Sequence, residues 1–157
     1  MSLFAINLLL AVTWALATGA LSERNLALGF VIGMAILQVV GSAVGDGRYV
    51  LRLIRIVLLV LTFLKELTLS SVRLAIDVLR PHMRMRPAVI AVPLDLKSDV
   101  EITLLANLIS LTPGTLTIDV AKDRSCLYVH AMYGGDPDQL SAAIKATFER
   151  RIEEAFR

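Results

Sequence analysis

Cysteine and histidine are nearly missing from this chain. Of 157 residues one is cysteine, Cys126, and two are histidine, His82 and His130. A lone thiol excludes an intrachain disulfide, and one thiol with two distant histidines has no metal-ligand spacing. Aromatic residues make up 6%, too few for base-stacking platforms, and a net charge of +2 is too small for a nucleic-acid binder. Charge is missing from the front of the chain: residues 1–47 hold only Glu23, Arg24 and Asp46. Residues 95–157 have the make-up of an ordinary soluble domain. The chain is 56% hydrophobic, with a mean hydropathy of +0.70, where soluble domains carry roughly 45–50% apolar residues. That asymmetry predicts a membrane-anchored protein with a small extramembrane domain.

Residues 1–47 are expected to form two transmembrane helices, over about 3–21 and 26–45, joined by a tight turn at "SERN". Crossing a bilayer takes about 20 mostly apolar residues. A cleaved signal peptide is the competing reading of the first run, because "ATGA" resembles a cleavage site. No Lys or Arg precedes that run, however, and it is long for a signal core. The second run carries Gly29 and Gly33, then Gly41 and Gly45, at a spacing that lets helix backbones approach closely. This predicts a hairpin that packs against other helices, those of sister subunits among them.

Residues 48–80 read as one long amphipathic helix. Arg48, Arg52, Arg55, Thr62, Glu66, Ser70, Arg73, Asp77 and Arg80 fall on one strip of the helix surface, and no proline interrupts until Pro81. The preferred reading lays this helix on the membrane surface with its arginine edge toward headgroups and water. The other is a tilted third span whose charged strip meets a partner protein, since charges facing lipid are costly. Arg48, Arg52 and Arg55, set against a lone Arg24, place this segment and all that follows in the cytoplasm by the positive-inside rule.

Residues 81–87 form a basic link. Residues 88–157 predict a β-α-β-β-α cytoplasmic domain of the α+β class, its first strand demoted to an edge by Pro93. Ser98 and Glu101 have capping-box spacing ahead of a helix with Ile102, Leu105, Leu108 and Ile109 on its apolar face. Thr112-Pro113-Gly114-Thr115 suits a type II turn from helix into strand. A phosphate loop would run from strand into helix and want a lysine after the glycines. The corner therefore reads as structural. Beyond it, Leu116, Ile118 and Val120 are expected on a buried face, alternating with Thr115, Thr117 and Asp119. Pairing Val120 with Leu127 sets Asp119 opposite Tyr128, with His130 on the same face. Asp119 and His130 invite an acid–base reading, but no nucleophile completes a triad; Asp119 is alternatively a lock on the turn. The last helix starts at Asp136-Pro137 and sets Leu140, Ile144, Phe148, Ile152 and Phe156 along one face.

These pieces together resemble the E-type subunit (MrpE) of the Mrp-type multisubunit sodium/proton antiporters, over essentially the whole chain. The most specific part is Thr112-Pro-Gly-Thr-Leu-Thr-Ile-Asp119 followed by Val129-His130, and the motif shows no departure from the family pattern. The resemblance implies a bacterial or archaeal membrane assembly. In it, large antiporter-like subunits related to those of respiratory complex I carry the ion pathways. The E-type subunit is a small accessory one, needed for assembly and full activity. The residues agree, because the two expected spans contain no Asp, Glu, Lys or His of the kind proton relays use.

The expectation is a non-catalytic structural subunit of a cation/proton antiporter, partnered by sister subunits and the bilayer, without cofactor or metal. Three rivals stand beside it. Arg52, Arg55, Glu66, Arg73 and Asp77 would line an ion path shared with a partner helix. Asp119 and His130 would serve a membrane-tethered enzyme. The sheet face around Thr117, Asp119, Tyr128 and His130 would bind a cytoplasmic ligand.

Overall fold

A computed structural model describes residues 3–44, 48–81 and 85–157. Gly45 of the second glycine pair and His82 of the basic link lie outside the described residues. The chain divides into two units, Met1–Ile54 and Arg55–Arg157.

The first unit contains an antiparallel pair, α1 (Leu3–Ala17) and α2 (Glu23–Val44), and the start of α3 (Tyr49–Val78). At 15 residues, or about 22 Å of helix, α1 is shorter than the expected run to residue 21. Gly19 ends it in the left-handed region at φ +70°, where its N–H donates to the Leu16 carbonyl. Asn25 then holds the loop, its side-chain amide donating to the Ala20 carbonyl at 2.9 Å. Among the described residues one stretch, Glu23–Gly41 within α2, is long and apolar enough to cross a membrane.

Gly29 and Gly33 do pack a helix, and it is α1 of the same chain. A Cβ on Gly29 would lie 2.8 Å from the Ala11 carbonyl oxygen, and one on Gly33 would overlap Asn7 Oδ1. Ala11 and Ala15 are buried on the facing side. Asn7 is fully buried as well, and its amide donates to the Tyr49 hydroxyl at 3.0 Å. A neutral polar side chain hidden between helices needs such a partner.

The second unit is built on a three-stranded antiparallel sheet in the order β1-β3-β2, with β1 Ala88–Pro93, β2 Thr115–Val120 and β3 Cys126–Ala131. Pro93 ends an edge strand, as its missing N–H requires. Helix α4 (Asp99–Leu111) crosses from β1 to β2, with Glu101 reaching back to the Ser98 N–H. After β3 come α5 (Pro137–Ile144), a π turn (Lys145–Glu149) and α6 (Arg150–Phe156). Asp136 caps α5 by accepting from the Asp138 and Gln139 amides. One sheet face and these helices enclose a core that includes Ile90, Val92, Leu105, Ile109, Leu127, Val129, Phe148 and Ile152.

Two expectations about faces fail. Phe156 is exposed, and Ala155 takes the buried place in its stead. Steps of four residues drift about 40° around an α-helix, so a stripe from residue 140 to 156 cannot stay on one side. The π turn absorbs part of that drift and also buries Glu149. In β2 the pairing runs Val120 to Leu127 and Asp119 to Tyr128, as expected, then slips past Ile118 to join Thr117 with Val129. This extra residue is a β-bulge, which shifts every later side chain to the other face. Leu116 and Ile118 are each 54% exposed, while Thr115 and Thr117 turn inward toward α4.

The glycine contact generates a prediction. Gly33→Ala should destabilise the helical hairpin by about 1–3 kcal/mol through overpacking, measured by thermal unfolding of the detergent-solubilised chain. Combined with Asn7→Ala, its effect should be smaller than the sum of the two single changes. Strict additivity would show that the two side chains do not meet.

Candidate functional site

The Thr-Pro-Gly-Thr corner completes the end of α4. A helix leaves its last carbonyls without intrahelical partners, and here threonine hydroxyls supply them. Thr112 Oγ1 donates to the Leu108 carbonyl at 2.8 Å, and Thr115 Oγ1 to the Ile109 carbonyl at 2.7 Å. Thr117 Oγ1 donates to the Ala106 carbonyl at 3.1 Å. Pro113 and Gly114 make the turn, with Gly114 at φ +91° and the Thr115 N–H donating to the Thr112 carbonyl at 3.2 Å. The bulge at Ile118 is what brings Thr115 and Thr117 to the α4 side. Asp119 does not lock this corner, because its carboxylate accepts from the adjacent Val120 amide at 2.8 Å. It faces Tyr128, whereas His130 sits across from Leu116. Acid and imidazole are not brought together. The open sheet face is more apolar than expected, with Val89, Leu116, Ile118 and Tyr128 exposed on it.

The charged strip of α3 is the larger surprise. The expectation turned it toward headgroups and water; from Arg55 onward it turns toward the chain's own small domain. Leu59 and Phe63 lie on that same edge and pack into the domain core, Leu59 with 6% of its surface exposed. Arg55 Nη1 donates to the Glu154 carbonyl at 2.9 Å. Asp77, 5% exposed, is paired with Arg80 at 3.4 Å. The Arg73 guanidinium stands 6.0 Å from the centre of the Tyr133 ring, within the reach of a cation–π contact. Glu66 is half-buried, 3.9 Å from Lys65. Arg48 and Arg52 belong to the first unit and are exposed.

Strip and corner meet around a cavity of about 290 Å³. Glu66, Ser70 and Arg73 form one wall, residues Thr112 to Thr115 a second, and Tyr133, Thr147 and Phe148 a third. The Tyr133 hydroxyl is shut off from water without a well-formed hydrogen bond. The Asp77 carboxylate toward which its proton is directed, and then its burial, push this phenol above the usual 10.0, with Arg73 pulling the other way. Farther off, buried Glu149 accepts from the Asp95 and Leu96 amides at 2.6 and 3.2 Å. Lys145 bridges Asp95 at 2.7 Å, and Asp95 holds its ammonium above the ordinary lysine value.

Asn7, Tyr49, Tyr133, Thr147 and Glu149 were not singled out by sequence. A signal existed for the strip: Leu59 and Phe63 interrupt it with apolar side chains, at heptad spacing from Glu66 and Ser70 respectively, as an edge facing protein would show.

Helices joined to a small antiparallel sheet, with an apolar hairpin at the front, recur in subunits of membrane complexes. The Mrp complex from Dietzia sp. DQ12-45-1b contains a chain 34% identical, with a TM-score of 0.51, covering 66% of this chain and 96% of that one. A chain of the membrane-bound sulfane sulfur reductase, an archaeal respiratory membrane complex, shares the fold at 24% identity and a TM-score of 0.59, with 96% of each chain covered. The E-type Na(+)/H(+) antiporter subunit of Alkalihalophilus pseudofirmus is 38% identical over 149 residues, 95% of this chain and 94% of that protein. Its counterpart in Bacillus subtilis is 36% identical over 152 residues, 97% of this chain and 96% of that one. The family model for a Na+/H+ ion antiporter subunit matches residues 7–155. This chain belongs to that family.

Because the folded-state pKa of Tyr133 is raised, the stability it contributes is present below the ordinary tyrosine pKa and is lost as pH climbs through the raised value. Asp77→Asn in a Tyr49→Phe, Tyr128→Phe background, where Tyr133 is the one tyrosine left, should bring the Tyr133 phenolate transition to lower pH, read by absorbance titration. An unmoved transition would remove Asp77 as the cause.

Proposed function

We propose that this chain is an accessory, non-catalytic subunit of a multisubunit monovalent cation/proton antiporter. It sits in a bacterial or archaeal plasma membrane and is held among sister subunits by its hairpin and by the apolar side of α3. Residues 1–47 cross the membrane twice, residues 48–80 run at its surface, and residues 88–157 lie in the cytoplasm after a link at 81–87. Gly41, expected to pack against a partner, is buried within the chain.

The observation that carries this reading is where the ionisable groups lie. The buried polar contact described in the first unit is the neutral pair of Asn7 on α1 and Tyr49 at the start of α3, which cannot relay protons near neutral pH. The strip from Arg55 to Arg80 is engaged within the chain: Arg55 reaches Glu154 and Arg73 reaches Tyr133 of the small domain, while Asp77 pairs with Arg80 along the helix itself. An ion path would need its carboxylates open to exchange with water along a membrane crossing. The opposite side of α3 exposes Ile54, Val57, Leu58, Leu61, Leu64 and Val72, a surface suited to lipid or to other subunits.

Glu66→Gln and Asp77→Asn, made separately in the intact antiporter, test the proposal. Both complexes should assemble and retain cation/proton exchange within about twofold, since Glu66 is only partly covered and Asn keeps the shape of buried Asp77. A complex that assembles fully and transports nothing would make this chain part of the ion path.

A further inference from the structure

The cavity between α3 and the corner opens beside a second, apolar groove. That groove is formed by Ser71, Leu74, Ala75, Val78, Leu79 and Pro113. Pro113 lines both, and Ser70 and Arg73 of the cavity alternate along α3 with Ser71 and Leu74 of the groove. A chamber that sets Glu66, Ser70, Arg73 and threonines among apolar side chains, and shares Pro113 with an apolar trough, fits an amphiphile.

The polar groups narrow the choice. Among the described residues Arg73 forms no ion pair; its guanidinium rests over the Tyr133 ring. An Arg fork with no carboxylate partner is a phosphate or carboxylate receptor. Thr147 adds a hydroxyl on the opposite wall. Glu66 stands two helical turns from Arg73, about 10 Å along the axis, and places a carboxylate in the same chamber. A free phosphate dianion would be repelled by that carboxylate. A phosphodiester carries a single negative charge, and its headgroup ends in a hydroxyl or ammonium that donates to Glu66. Both charges of the chamber are then matched. The diester's alkyl chains have the groove beside them, where Leu79 is 85% exposed.

We infer that this chamber and groove bind one membrane phospholipid, with its phosphate on the Arg73 guanidinium and the Thr147 hydroxyl. Its headgroup donor reaches Glu66, and one acyl chain lies along Leu74, Val78 and Pro113. Tyr133 is a positioning residue: its ring carries the guanidinium, and its hydroxyl is turned to Asp77. The lipid would tie the corner of the domain to the amphipathic helix, and so fix the domain against the bilayer. The inference rests on the membrane placement proposed above, but its test does not require transport or sister subunits.

Native mass spectrometry of the delipidated full chain in detergent, titrated with three probes, provides the test. The probes are dioleoyl-phosphatidylglycerol, the matching diacylglycerol without phosphate, and glycerol phosphate without chains. The phospholipid should form a saturable one-to-one complex, with the other two at least about tenfold weaker, the loss expected when a charge-assisted contact is missing. Arg73→Gln should weaken phospholipid binding about tenfold and Arg73→Lys less, because lysine keeps charge without the fork. Arg73 is exposed, so an unchanged circular dichroism spectrum is expected for both variants. Equal binding by wild type and Arg73→Gln would overturn the inference. So would diacylglycerol binding as tightly as phospholipid, which marks apolar contact alone, or glycerol phosphate doing so, which marks a soluble-phosphate site. Failure of the wild type to retain any phospholipid would also overturn it. A sodium-dependent pH change in liposomes that contain only this chain, by contrast, would strike the accessory-subunit reading and leave lipid binding standing.

Discussion

Helix α3 cannot be satisfied by one medium, and the second unit is organised by that constraint. Most of its circumference is apolar and exposed, while one edge carries Arg55, Glu66, Arg73 and Asp77. Lipid around the whole helix would strand the charges; water around the whole helix would expose a row of leucines, valines and isoleucines. The small domain eases the conflict by packing along part of the charged edge, with Arg73 left exposed. Leu59 and Phe63 join its core, and the arginines reach a carbonyl, an aromatic ring and a carboxylate. The apolar side is left for the bilayer and for other proteins.

The corner has its form for a related reason. A three-stranded sheet covered by two helical segments has a small core, and a frayed end of α4 would leave carbonyls beside it unpaired. Thr112 and Thr115 close that end, Thr117 bonds the Ala106 carbonyl farther back along the helix, and a single bulged residue, Ile118, turns Thr115 and Thr117 the right way. The Thr-Pro-Gly-Thr corner is thus explained as a helix terminus rather than as a reactive loop. Its place in the wall of a cavity with Arg73 and Glu66 gives it a second use.

Much of this was legible from residue order. The turn at Pro113-Gly114, the cap at Asp136, the edge strand at Pro93 and the pairing of Asp119 with Tyr128 all follow from local rules. What was not legible depended on non-local choices. Alternation places Leu116 and Ile118 inside, yet one extra residue reverses the face, and nothing in "TLTIDV" announces which residue will bulge. A four-residue stripe places Phe156 inside, yet helical drift and a π turn put Ala155 there. The direction of the charged edge depended on what lay opposite, which periodicity alone does not tell. Gly29 and Gly33 announced close packing, but only the structure shows that Ala11, Trp14 and Asn7 are what they pack against.

On the function proposed above, the chain holds an assembly together and conducts nothing alone. The most direct measurement is reconstitution of the purified chain, without its sister subunits, into liposomes carrying a pH-sensitive dye under a sodium gradient. The account predicts a pH trace indistinguishable from that of empty liposomes. A sodium-dependent pH change from those vesicles would contradict it.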